Sequence, residues 1–181
     1  MTARRLLAEF ETIGAVLAGA RPRLLRVVGD DPAAAQTVRL FRHALHLTLY
    51  STVAAGPIVS GSDTLSAYLR VTMGHAPVET FRVLHLNAAN RLLRDTVVAT
   101  GTIDQVTVPV REVIARALEL GSAAIILVHN HPSDVTEPSL SDIDLTRRIV
   151  QVAEQLDIVI HDHLIVGATG MFSFRQAGYL S

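Results

Sequence analysis

The stretch SAAIILVHNH, residues 122–131, constrains this chain more than any other. AAIILV (123–128) is its longest unbroken apolar run. Gly121 precedes the stretch and Pro132 follows it. Such a run is far too short to span a bilayer. It reads as a buried strand, and a buried strand needs cover on both faces. The pattern around it supplies that cover. PVREVIARALELG (109–121) and SLSDIDLTRRIVQVAEQLD (139–157) have helical spacing, and IVIHDHLIVG (158–167) reads as another strand. ETFRVLHL (79–86) alternates, putting Glu79, Phe81, Val83 and His85 on one face, and NAAN turns it into the partner strand RLLRDTVVAT. GMFSFRQAGYL ends the chain as a short strand or turn. Strands alternating with helices predict a layered α/β (α+β) domain from residue 57 onward.

Residues 1–50 read as a separate helical module. Apolar residues at Leu6, Leu7, Phe10, Ile13, Val16 and Leu17 space one helix that ends near Gly19. RPRLLRVVG stops at Gly29, and DDPAAA opens the next helix with an acidic cap and Pro32. Gly56, Pro57 and Gly61 mark the boundary with the second domain, 57–181, whose first helix is capped by Ser62 or Asp63.

Composition excludes several chemistries. There is no cysteine, so disulfides, thiolate nucleophiles and Cys-type zinc sites are ruled out. Net charge is −1, which is not that of a polybasic nucleic-acid binder. The charge is uneven: residues 1–50 hold seven arginines against four acids, a local +3. Every basic residue is arginine, a usage that favours phosphate forks but also follows from composition bias. Glu9 and Glu11 stand where a signal peptide would be apolar, so a cytoplasmic, membrane-free protein is the expectation. The apolar N-terminal helices offer a pairing surface for a homodimer.

The chemistry sits at the end of the buried strand. On an extended chain His129 and His131 point to the same side, as two imidazoles must to share an ion. Ser139 and Asp142 form a helix-start pattern that sets Asp142 in a first turn, near the positive dipole end. Two imidazoles and a carboxylate make a three-ligand Zn²⁺ set with a fourth position open for water. An ion there lowers the pKa of bound water from 15.7 toward roughly 7. Glu79, at the start of a strand, is the candidate general base and acid. Ser139 is a candidate oxyanion donor. Each residue also has a plainer role: Ser139 as a helix cap, Asp142 as a dipole partner, Glu79 as a surface strand residue. HDH at 161–163 is a second H-x-H, read as a satisfied pair in which His163 buttresses the site. HNH as a nuclease motif fails on spacing, H-x-H-x-D-H fails at Ser133 and Asp134, and a zinc deaminase would need cysteines.

HNHPSDVTEPSLSD (129–142) resembles the JAMM motif, H-x-H-x(7)-S-x-x-D, of JAB1/MPN-type metallopeptidases. Residues 57–181 are similar to bacterial RadC proteins, the UPF0758 group. The likeness runs in order through ETFRVLHLNAANRLLRDTVVATGTID, VPVREVIARALELGSAAIILVHNHPS, SLSDIDLTRRI and DHLIVG. It implies a mixed sheet flanked by helices, related to the cytidine-deaminase-like zinc fold. It implies His129, His131 and Asp142 as zinc ligands, Glu79 as acid/base and Ser139 at the oxyanion. The implied function is a zinc metallopeptidase acting on a peptide or isopeptide. The alternative is a DNA-associated repair or recombination accessory protein with a structural or vestigial zinc site. Residues 1–50 resemble the helix-hairpin-helix module that precedes this domain, whose Gly-x-Gly loop meets phosphate. Here Gly29 is kept but Asp31 takes the second glycine's place, and an acid there repels phosphate. Asp134 stands where RadC proteins usually carry glycine.

Overall fold

The computed structural model describes residues 2–19, 21–29, 31–101 and 108–180. Thr102, Ile103 and Asp104, which end one of the RadC-like segments, and Ser181 lie outside the described residues. Four helices come first: α1 (Thr2–Phe10), α2 (Ile13–Ala18), α3 (Arg21–Val28) and α4 (Pro32–Ala54). The single helix expected before Gly19 is two. Glu11 takes a left-handed φ of 65° and the Thr12 side chain accepts the Ala15 N–H, which caps a new helix. Leu6, Phe10, Val16, Leu24, Val28 and Ala35 bury together as a small core of their own. At the turn into α4, the Asp31 carboxylate accepts the Ala34 N–H at 3.1 Å.

The helix α4 runs on to Ala54, past the end expected for the helical module at residue 50. Its C-terminal part brings Leu49, Tyr50 and Val53 onto the sheet core, beside α5 (Asp63–Met73). Then come β1 (Glu79–Leu86), β2 (Leu92–Gly101), α6 (Val110–Glu119), β3 (Ala124–Asn130), α7 (Leu140–Glu154), β4 (Val159–Val166) and β5 (Met171–Ser173). The strands form one mixed sheet in the order β2-β1-β3-β4-β5. β3 and β4 run parallel, joined by α7, while the other pairs are antiparallel. β3 is central and buried along its whole length, as its apolar run requires.

Strand alternation divides the core. Leu84, Leu86, Ile126, Val128, Leu164 and Val166 face α5 and the end of α4. Phe81, Val83, Ile125, Leu127 and Ile160 face α6 and α7. Each fully buried aliphatic side chain contributes about 1.5–3 kcal/mol. β1 lies between β2 and β3 and is buried on both sides, so its alternation separates two cores rather than core from solvent. Glu79 and His129 fall on the α6/α7 face by the same alternation. No helix among the described residues is long and apolar enough to cross a membrane.

Candidate metal centre

Three elements meet at the site. β3 delivers His129, buried beneath α7. The next residue but one, His131, is still tied to the sheet, because its N–H donates to the Val166 carbonyl at 3.0 Å. The chain then loops to Ser139, which caps α7. Asp142 N–H donates to Ser139 Oγ at 3.2 Å, and Ser139 N–H donates back to Asp142 Oδ2 at 2.8 Å. This reciprocal box aims the Asp142 carboxylate at the histidines. Asp142 Oδ1 lies 3.3 Å from His129 Nε2, and Oδ2 lies 3.7 Å from His131 Nε2. The two Nε2 atoms are 3.0 Å apart.

Hydrogen bonds behind the rings decide where their lone pairs point. Thr146 Oγ1 lies 2.6 Å from the Asp142 carbonyl, which only accepts, so the hydroxyl donates there. It must then accept from His163 Nδ1–H, also at 2.6 Å. His163 Nε2 is left as an acceptor, and His129 Nδ1–H donates to it at 2.8 Å. His129 Nε2 is therefore a bare lone pair. His131 Nδ1–H donates to the Val135 carbonyl at 2.5 Å, which leaves its Nε2 bare as well. With both rings neutral, two lone pairs and a carboxylate thus converge with no donor between them. A single proton relieves one pair of these atoms; a divalent cation relieves all three. The donor set suits zinc: two imidazole nitrogens and one carboxylate oxygen. Among the described residues this is the one group of three or more such side chains spaced to hold an ion.

Electrostatics agree. Burial pushes His129 down to about 4 against the opposing charge of Asp142, so it is neutral and ready to ligate near pH 7. Burial alone would raise Asp142, but bonds from His131 and Ser139 and the charge of His129 hold it well below the usual carboxylate range. His131 is raised, first by its bond to Asp142. That bond forms in the protonated ring; in the neutral ring Nε2 carries a bare lone pair.

Glu79 stands across from these groups. β1 pairs antiparallel with β3 as far as Phe81 opposite His129, and Glu79 lies one pleat beyond that pair on the same face. Asn130, between the two histidines, points the other way and is 1% exposed. Its Oδ1 accepts Thr80 N–H at 2.9 Å and its Nδ2 donates to the Val78 carbonyl at 3.1 Å. The residues on either side of Glu79 are thereby clamped. Burial raises the Glu79 carboxyl, with His131 lowering it and Asp142 raising it further.

His161 and His163 do not act as a pair. β4 carries an irregularity where Ile125↔Ile160 is followed by Ile126↔Asp162, leaving His161 as the extra residue. His161 Nε2 turns to Asn90 Oδ1 at 2.7 Å while His163 faces the site. Asp134, in the loop after His131, has φ 64°, a conformation suited to the glycine it replaces. Its carboxylate accepts Thr169 N–H at 3.0 Å and Thr169 Oγ1–H at 2.7 Å. Gly167 leaves the room this needs, since a Cβ there would lie 2.3 Å from Asp134 Oδ1.

The family model for the RadC-like JAB domain matches residues 59–179. The chain belongs to the RadC family. A UPF0758 protein of Rhodobacter capsulatus is 44% identical over 178 residues, covering 98% of this chain and 83% of its own length. A UPF0758 protein of Ruegeria pomeroyi is 42% identical over 178 residues, covering 98% of this chain and 80% of its own. The five-stranded mixed sheet between helices is the JAB/MPN-like fold of that family. JAB domains are associated with hydrolase activity.

The site residues read from the RadC sequence come together as a group: His129, His131 and Asp142 in contact, Glu79 opposite. Ser139 is there too, with its hydroxyl engaged by Asp142 and Ser141. Thr146 and Asn130 were missed. Thr146 follows Asp142 by four residues, so helix periodicity puts both on one face. Asn130 had a weaker signal, a polar side chain at the buried end of an apolar strand.

Proposed function

We propose that this RadC-family protein is a zinc-dependent metallohydrolase that cleaves an amide or isopeptide bond, with His129, His131 and Asp142 as ligands. The observation that carries the reading is the convergence of two Nε2 atoms 3.0 Å apart, both bare when the rings are neutral, with the Asp142 carboxylate. A zinc ion bound there would supply Lewis acidity, polarising a carbonyl and making water acidic.

The chain's own residues do the rest. The Thr146–His163–His129 relay keeps the His129 lone pair directed at the ligand position. The Val135 carbonyl does the same for His131. Glu79, with a carboxyl raised by burial, takes a proton from the attacking water and delivers it to the leaving amine. Asn130 holds the backbone on both sides of Glu79. Ser139 Oγ turns from Asp142 toward the carbonyl oxygen as charge develops there.

Elemental mass spectrometry and peptide hydrolysis test this together. Wild type and Glu79→Gln should carry about one zinc per chain, and His131→Ala should lose it. Cleavage of a mixture of unstructured peptides and isopeptide-linked conjugates should vanish in both variants. Zinc-free wild-type protein that still retains DNA in a salt-dependent way would overturn the hydrolase reading in favour of a DNA-associated accessory role.

A further inference from the structure

The sheet face away from the metal centre carries a cavity of about 670 Å³ between α4, α5 and β1. Gln36, Arg39, Leu40, Arg42, His43 and His46 line it from α4, Val71 and Thr72 from α5, and Arg82 from β1. The α4 residues recur at intervals of three and four, so they form one helix face. No aspartate or glutamate lines the cavity.

Arg82 is fixed in its wall. Arg82 Nε donates to Asp95 Oδ1 at 3.0 Å and Nη2 donates to Oδ2 at 2.5 Å, a bidentate ion pair. Tyr68 Oη donates to the same carboxylate at 2.6 Å. Asp95 is thus consumed within the wall. Among the described residues nothing pairs with Arg82 Nη1, Arg39 or Arg42. The balance of these groups, three arginines against Asp95, is +2. Two of the seven arginines in the first fifty residues, Arg39 and Arg42, line this groove.

The geometry points to a binding site for a phosphate-bearing small molecule of nucleotide size. The wall offers donors in planar forks and no carboxylate of its own, which is what a multi-oxygen anion requires. The volume exceeds that of a phosphate alone, and Leu40 and Val71 give an apolar surface for the remainder of the ligand. Arg82 lies on the opposite face of β1 from Glu79, so this site is separate from the metal centre and stands whether or not the protein is a hydrolase.

Calorimetric titration of the full chain with pyrophosphate and with ATP, at 50 and 200 mM salt, tests the proposal. Both should bind, ATP more tightly, and binding should weaken as salt rises. Arg39→Ala/Arg42→Ala changes two exposed helix positions and should keep the wild-type melting curve while weakening ATP at least tenfold. No heat with either probe, or affinity unchanged in the double variant, overturns the site. Binding confined to a duplex DNA oligonucleotide, and lost in that variant, also overturns it, in favour of a nucleic-acid backbone as occupant.

Discussion

His163 accepts the Nδ1 proton of His129 at 2.8 Å because Thr146 has already taken up the other side of its ring. One hydroxyl on α7 thereby sets the tautomers of two buried histidines. Thr146→Val keeps the shape and removes the hydroxyl. Zinc affinity, measured by chelator competition, should fall roughly 10–100-fold, as it does when groups behind metal ligands are removed. Thr146→Ser should restore most of it. Equal zinc affinity in wild type and Thr146→Val would show that the relay does not orient His129.

Asn130 separates positioning from ligation. Asn130→Ala frees the Thr80 N–H and the Val78 carbonyl, at a stability cost of about 1–3 kcal/mol. Zinc content should stay near one per chain while kcat falls at least tenfold, because Glu79 loses its anchorage and the ligands do not. Parallel loss of zinc and activity would contradict this division of roles.

Stability should depend on His85. Its ring is fully buried between Ser122 Oγ at 3.1 Å and Thr96 Oγ1 at 2.9 Å. Burial, then the charge of Arg116, lowers it to about 4. Unfolded, it titrates near 6.5, so below that pH the unfolded chain binds the extra proton. The contribution is complete above about pH 6.5 and is lost as pH falls toward 4, on the order of 2 kcal/mol by pH 5. His129, also near 4, adds in the same direction in the metal-free protein. Urea midpoints at pH 7.5 and pH 5 check it, and His85→Gln should flatten the dependence.

Asp134 trades backbone strain for two hydrogen bonds. Asp134→Gly relieves the left-handed φ but loses both bonds to Thr169, so the two effects should nearly cancel. Asp134→Ala loses the bonds and keeps the strain, so it should be about 1 kcal/mol less stable than the glycine variant. Thermal melts of the three proteins give the order.

Local rules made much of this protein legible from its residues alone. The apolar run before His129 has one use, a strand covered on both faces, and it proves central. H-x-H on an extended chain aligns two rings by pleat geometry, and Ser139 with Asp142 forms a capping box whatever surrounds it. Each of these rests on neighbours a few residues apart, so it can be read without the fold. The break at Thr12 was overlooked because apolar spacing runs through it, while the cap depends on one hydroxyl.

Other features were decided only by the tertiary structure. Period-two reading of IVIHDH puts His161 and His163 on one side, but the irregularity against β3 sends them apart and makes His163 the support of His129. Glu79 meets the histidines, 50 and 52 residues away, through the β1–β3 register. The cationic groove needs α4 packed on α5 and the Arg82–Asp95 pair locked beneath it. The physical reason is common to all three. Pairing across strands and packing across layers are set by the whole core at once, and no short window of residues contains that information.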